Sequence, residues 1–522
     1  MKPEMTRRGA LAVLGTAPMV LIRKSKAVAP LPAIQKGPFQ ATRESLKAFR
    51  VPDWFRDAKL GLWAHWGPQS APEQGDWYAR LMYEQGSPVY QWHLEHFGHP
   101  SKVGFKDVIP TFNGDKWDPE HLMDLYVKAG AKYFVSMGVH HDNFDMWNSK
   151  YHPRWNAAAS GPRKDIVGMW RDAARKRGLR FGVSEHLSNS FDWLATAHRS
   201  DKTGPLAGVP YDGTDPAYAG LYHSYKEMPA NFADTAKAMG RVAPESWKLE
   251  YFNRIKDLID QHQPDLLYTD GGIPFEEYGL GLVAHHYNVS AKRHGGRMEA
   301  IYTSKVLEDC AEGTCALDLE RGVADKIMPD PWQTDTCIGA WHYKRDITYK
   351  TPKVVVDMLV DIVSRNGNLL LNFPLPGSGA LDDRELAVLS SLTDWMAVNS
   401  EGIYATRPWK VFGEGPGMAA LADGKEEMAF NEGSRKELTA ADVRFTAKGK
   451  ILYTFVMGWP QGQARIKALG TNSPRQPGKV RNVEMLGYKG RLNWSQQAGE
   501  LSVDLPPEKP SEHAVTLKVT MA

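Results

Sequence analysis

Five short apolar runs in this chain of 522 residues end in side chains able to move protons or grip polar ligands. Residues 60–65 end at His65, and 133–139 are followed by His140, His141 and Asp142. Residues 179–184 lead into Glu185 and His186, 265–270 end at Asp270, and 316–319 run into Glu320. A lone histidine after a strand more often packs than works, and a lone Asp before Gly-Gly more often caps the turn. Five strand ends doing the same thing in step point to one pocket at the C-terminal mouth of a parallel barrel. Side chains alternate along a strand, so Tyr268 and Asp270 project to the same side. His65, His140, His141 and His186 with Asp270 also have the ligand types of a catalytic divalent ion. No His-x-His pair follows the first run, however.

The segments around these runs are what must position them. Amphipathic helices are predicted over 119–129, 166–177, 250–261 and 353–365, and strands over 60–65, 133–139, 179–184, 265–270 and 368–373, with weaker ones at 299–302 and 316–319. Repeated strand–helix units imply a parallel sheet, and this many imply a barrel. With seven strands legible, the expectation is a distorted (β/α)8-like barrel over 30–405. Residues 196–242, rich in Gly, Pro, Tyr and Asp, are too long for an ordinary connection and are expected as a rim over the site. From 406 to 522 helical periodicity gives way to alternating strands between Gly/Pro turns, the pattern of an antiparallel β-sandwich.

Composition narrows the ligand. The net charge of +3 gives no case for nucleic acid, while seventeen Trp, twenty Tyr and seventeen His suit polyhydroxylated ligands, whose C–H faces stack on rings. Residues 1–29 read as an export signal: Arg7-Arg8 precedes an apolar run of about 13 residues, shorter than the roughly 20 that span a bilayer, and Ala27-Val28-Ala29 suits cleavage. The expected address is periplasmic or secreted, with no membrane span. Three cysteines, Cys310, Cys315 and Cys337, cannot all pair internally; Cys310 and Cys315 could close a small loop, or stay as buried thiols.

Ordered motifs then carry a resemblance. Trp54-Phe-Arg-Asp-Ala-Lys-Leu-Gly-Leu-Trp-Ala-His-Trp-Gly67, Gly75-Asp-Trp-Tyr78, Ala129-Gly-Ala-Lys-Tyr133 with His140-His-Asp142, Gly161-Pro-Arg-Lys-Asp-Ile-Val-Gly168, Pro264-Asp-Leu-Leu-Tyr-Thr-Asp270, Trp332-Gln-Thr-Asp-Thr-Cys-Ile-Gly339 and Ser364-Arg-Asn-Gly-Asn-Leu-Leu-Leu-Asn372 resemble glycoside hydrolase family 29, the α-L-fucosidases. The resemblance implies a retaining exo-α-L-fucosidase acting on fucosylated glycans by double displacement, with no cofactor and no metal. Asp270 then aligns with the nucleophile. Glu320, at a strand end, is the expected acid/base, with Asp318, Glu276 and Glu277 as runners-up. His65, Asp76, Trp77, His140, His141 and Tyr268 match positions around the sugar ring.

Two departures stand out. Asp76 replaces the Glu of many members, and Val183-Ser-Glu-His186 replaces Tyr-Tyr-Ser, which is expected to bring Glu185 and His186 to the pocket. Rival readings are a retaining glycosidase for another sugar such as L-galactose, a metal-dependent hydrolase, or a sugar-binding protein without turnover. Protein exported by a bacterial host should begin near Pro30 on N-terminal sequencing; a mature chain retaining Arg7-Arg8 would contradict the export reading.

Overall fold

A computed structural model of the chain describes residues 31–236, 242–421 and 428–522; the predicted leader at 1–29 lies outside them. Eight strands build the first sheet: β1 (Leu60–Ala64), β2 (Tyr133–Val139), β3 (Arg180–Glu185), β4 (Leu266–Thr269), β5 (Ile301–Ser304), β6 (Ala316–Leu317), β7 (Trp332–Cys337) and β8 (Gly367–Asn372). They pair in parallel in the order β6-β5-β4-β3-β2-β1-β8-β7. A parallel bridge between Asp318 and Gln333 joins the two ends. The Leu319 N–H donates to the Gln333 carbonyl at 2.9 Å and the Arg321 N–H to that of Asp335 at 2.8 Å. The barrel is thus closed through a two-residue strand rather than a full ladder.

Burial explains why seven of these strands are legible and β7 is not. β1, β2, β4 and β8 are buried along their whole length and read as apolar runs. β7, Trp-Gln-Thr-Asp-Thr-Cys, is equally buried but polar, because its side chains enter a hydrogen-bonded network inside the barrel. The Tyr133 hydroxyl donates to Gln333 Oε1 at 2.8 Å, Gln333 Nε2 donates to Asp318, and the Tyr268 hydroxyl donates to Asp335 Oδ2 at 2.8 Å. Gly61 leaves room for the Tyr133 ring; a Cβ there would lie 2.2 Å from it.

The surrounding helices are α1 (Pro119–Lys128), α2 (Ile166–Lys176), α3 (Glu245–His262), α4 (Glu277–Arg293), α5 (Pro352–Ser364) and α6 (Asp383–Asn399). Their starts follow capping chemistry: the side chains of Asp118, Asp165, Thr351 and Asp382 accept N–H groups of the first turn, and Pro occupies the first position of α1 and α5. α2 buries Ile166, Val167, Trp170, Ala173 and Ala174, with Trp170 4.7 Å from the Phe134 ring of β2.

The second unit is antiparallel. A five-stranded sheet contains β9 (Arg407–Glu414), β10 (Val443–Lys448), β11 (Ile451–Val456), β13 (Val480–Met485) and β16 (Val515–Met521). A three-stranded sheet contains β12 (Gln463–Ile466), β14 (Trp494–Gln496) and β15 (Leu501–Asp504). Leu452, Val456, Ile466, Val503 and Leu517 share its core. Asp361 of α5, paired to Arg365 at the end of its own helix, joins the two units by ion pairs to Arg435 at 2.9 Å and to Arg444 of β10. Cys310 and Cys315 are disulfide-bonded, and Cys337 is a buried free thiol.

One buried pair holds the loop that opens with His140 and His141. Arg254 of α3, fully buried, contacts Asp145 at 2.6 Å and Asn143 Oδ1 at 2.6 Å. Removing one partner of such a pair leaves an uncompensated charge. R254M should therefore cost roughly 3–5 kcal/mol in denaturant unfolding; a loss under about 1 kcal/mol, the range of exposed pairs, would show that the pair does not anchor the loop.

Candidate active site

Seven consecutive barrel strands deliver polar side chains to one mouth. Asp270 follows β4, and its carboxylate is held from three directions. Lys305 Nζ, just past β5, lies 2.7 Å from Oδ1; His141 Nε2 and His186 Nδ1 lie 3.3 and 3.2 Å from Oδ2. Lys305 also contacts Glu320 Oε2 and lies 3.8 Å from Oδ2 of Asp335 on β7. The Asp270 and Glu320 oxygens that bracket this ammonium are no farther apart than two N–O contacts laid end to end. That fits the roughly 5–5.5 Å separation of carboxyl pairs in retaining glycosidases.

Electrostatics set the two acids apart. Burial works against an ionised Asp270, but Lys305, His186 and His141 outweigh it and hold the carboxyl well below the usual range. The scale is plausible: at an effective dielectric constant of about 20, an ammonium near 2.7 Å is worth roughly 6 kcal/mol, against several kcal/mol to desolvate each ion. Glu320 goes the other way. Burial, with the charges of Asp335 and Asp270, pushes it up to about 7 despite Lys305. One group is a carboxylate and the other an acid near neutrality, the division that two-carboxyl chemistry needs.

Beside them stands a shelf of imidazoles. His65 packs 5.0 Å from His140, 5.1 Å from His186 and 4.6 Å from His342, and neither of its ring nitrogens has a hydrogen-bond partner among the described residues. Burial lowers His65, His140 and His186, so each is neutral and offers one donor and one acceptor. His140 Nδ1 meets Gln69 Nε2 at 2.7 Å, while His342 Nδ1 and His140 Nε2 lie 2.5 and 3.7 Å from Asp76 Oδ1. The two unpartnered nitrogens of His65 suit vicinal hydroxyls. Two groups among the described residues, His65 with Asp76, His140 and His342, and His140 with His141 and His186, have donor atoms within 4.8 Å of one another and could hold a metal ion. Asp270, included in the sequence-based metal hypothesis, is in neither.

His141 is exceptional. Its Nδ1 bonds the His186 carbonyl at 3.0 Å, and although burial opposes its charge, the Asp270 contact raises its pKa. Trp77 and Arg321, flanking Asp76 and Glu320, hold left-handed backbone at φ 66° and 46°. Such conformations are kept where surrounding structure enforces them. The Glu320 turn is enforced by the chain leading into β10. Phe430 N–H donates to the Glu320 carbonyl at 2.8 Å, Glu432 N–H to that of Arg321 at 2.9 Å, and the Arg321 and Glu432 side chains pair at 3.0 Å.

Of the expected site residues, the structure brings His65, Asp76, Trp77, His140, His141, His186, Asp270 and Glu320 to the mouth, Trp77 with its ring half-buried 6.4 Å from His141. Tyr268 lies beneath it, wedged against Trp63 and His186 with its hydroxyl on Asp335. Glu185 does not reach the mouth. It turns behind β4, fully buried, where Tyr251, Thr269 and the Leu187 N–H all donate to it at 2.6–3.0 Å. Among the runners-up, Asp318 is sealed inside the barrel against Gln333, and Glu276 and Glu277 are exposed. Lys305, Asp335, Trp341 and His342 were not anticipated. Lys305 obeys the same strand-end rule that exposed Asp270; the others belong to β7 or the loop after it.

A closed parallel barrel whose mouth sets two carboxyl groups around one cation beside neutral imidazoles has the architecture of a barrel glycosidase. Residues 27–401 match the family described as alpha-L-fucosidase, and residues 435–520 match the alpha-L-fucosidase C-terminal domain. The chain belongs to the α-L-fucosidase family of glycoside hydrolases. It is 26% identical to the tissue alpha-L-fucosidase of Rattus norvegicus, with 91% of each chain covered. It is 27% identical to the plasma alpha-L-fucosidase of Homo sapiens, covering 91% of this chain and 90% of that one. The fold matches a Thermotoga maritima alpha-fucosidase solved in complex with fucose, at a TM-score of 0.70 and 23% identity over 92% of this chain and 100% of that one. It also matches a Bacteroides thetaiotaomicron alpha-L-fucosidase described as a trapped covalent intermediate, at 0.59 and 19%, over 94% and 99%.

The pH dependence of kcat/KM on an aryl glycoside should follow these groups. Activity falls as pH rises through about 7, where Glu320 loses its proton, and on the acid side holds until well below the usual carboxylate range, where Asp270 gains one. E320Q should remove the alkaline limb; its persistence in that variant would assign the limb to another group. Exhaustive chelation should leave the rate unchanged, and a loss restored by a divalent ion would make the imidazole shelf a metal centre.

Proposed function

We propose that the protein is an exported, retaining exo-α-L-fucosidase. Asp270 attacks the anomeric carbon, Glu320 protonates the departing oxygen, and water activated by Glu320 then releases fucose. The observation that carries this reading is the convergence of Asp270 and Glu320 on one ammonium group, where the surroundings hold the Asp270 carboxyl low and push Glu320 up. The trapped intermediate of the Bacteroides relative supports a covalent step on this fold. His65, His140, His141, His186 and Asp76 hold the sugar hydroxyls. Trp77, half-buried at the rim of the mouth, supplies an apolar face for the 6-methyl group. A single methyl is worth only about 1–3 kcal/mol, so L-galactosides should turn over slowly rather than not at all.

The deciding variant is D270G. Hydrolysis of an aryl α-L-fucoside should fall by at least about 10⁴-fold, in line with loss of a covalent nucleophile. Added azide should restore turnover and yield the inverted β-L-fucosyl azide. Near-wild-type hydrolysis by D270G would end the proposal, and wild-type release of the inverted sugar would replace double with single displacement.

A further inference from the structure

Lys305 is built into the site from both sides. Its backbone N–H donates to the Gly271 carbonyl at 2.9 Å, tying the end of β5 to the turn after Asp270. The preceding Ser304 hydroxyl donates to Asp309 Oδ2 at 2.9 Å, the same oxygen that accepts the Ile273 N–H at 2.7 Å. Asp309 is held in turn by Arg43 at 2.9 Å and adjoins the Cys310–Cys315 disulfide. The resulting ammonium touches Asp270 and Glu320 at once, with Asp335 3.8 Å away and the Tyr268 ring 5.4 Å below.

We propose that Lys305 is the positioning residue that passes its pairing from Asp270 to Glu320 when the glycosyl-enzyme forms, and so turns Glu320 from general acid into general base. This rests on the double displacement proposed above. In the first half-reaction an Asp270 oxygen bonds to the anomeric carbon, the glycosidic C–O bond breaks, and the leaving oxygen takes the Glu320 proton. Asp270 becomes a neutral ester and Glu320 a carboxylate, so the negative charge beside Lys305 changes owner without changing in amount. In the second, water oxygen bonds to the anomeric carbon, its proton goes to Glu320, and the ester C–O electron pair returns to Asp270.

The surroundings leave this task to Lys305. Asp335 stays beneath it through both halves. Asp318 behind is kept protonated by burial and the charge of Asp335. Of the two acids, His141 and His186 contact Asp270 alone, and the Arg321 guanidinium pairs with Glu432. Among the described residues Lys305 is the one cation that contacts both acids. Without it, Glu320 would keep its proton beside Asp335, which the first half-reaction tolerates and the second does not.

The test uses 2,4-dinitrophenyl α-L-fucoside, whose leaving group needs no proton. K305M and the closer-sized K305Q should slow steady-state turnover roughly 10- to 100-fold, with a burst of dinitrophenolate. Azide, which needs no base, should restore turnover and give the retained α-L-fucosyl azide. Both pH limbs should move upward by about one pH unit or more, and K305R should restore most of the rate. Either neutral variant, folded by circular dichroism, showing no burst, no azide response and unmoved limbs would overturn the hand-off. Wild-type release of the inverted sugar would overturn the double displacement itself, a result that the Lys305 variants cannot mimic.

Discussion

A single ammonium group surrounded by three carboxyl side chains is the constraint on which this site depends. Lys305 is largely buried, and its charge persists because Asp270, Asp335 and Glu320 together outweigh the cost of burying it. The dependence is mutual: the cation, together with His186 and His141, holds the Asp270 carboxyl low, whereas burial and the neighbouring charges push Glu320 up to about 7. These groups come from the ends of β4, β5 and β6 and from β7, so the barrel's curvature assembles what no single segment contains.

The acid/base candidate sits where the barrel is least regular. β6 is two residues long, and closure rests on the Asp318–Gln333 bridge and a few backbone hydrogen bonds. A strand this short cannot by itself fix a side chain, and Arg321 leaves it in a left-handed conformation. The missing support comes from residues 428–432, on the way into the sandwich, which bond the backbone of Glu320 and Arg321 and reinforce it with the Arg321–Glu432 pair. The C-terminal unit therefore contributes to the geometry of the active site as well as to packing, with Asp361 locking its β10 to the barrel through Arg444.

Strand-end reasoning reached Asp270, Glu320 and the histidines because buried parallel strands are apolar runs and their ends are where polarity returns. The rule failed where its premise failed. β7 is buried against a polar network, so with Gln333 and Asp335 it lacks the apolar run that marks the other strands, and Trp341 and His342 beyond it have no strand end to point to them. Glu185 was assigned to the mouth by its position after an apolar run. It is the last residue of β3 rather than the first beyond it, and alternation turns it outward to Tyr251 and Thr269. The Cys310–Cys315 link was open from spacing alone, since a closed loop and two buried thiols share the same sequence.

The central claim is that Asp270 becomes covalently attached to the sugar. Incubation with a 2-fluoro-fucosyl fluoride, followed by proteolysis and peptide mass spectrometry, tests it most directly. The account predicts a single fluorofucosyl adduct on Asp270, formed in step with loss of activity. An adduct on a different residue, or full inactivation with no adduct at all, would contradict it.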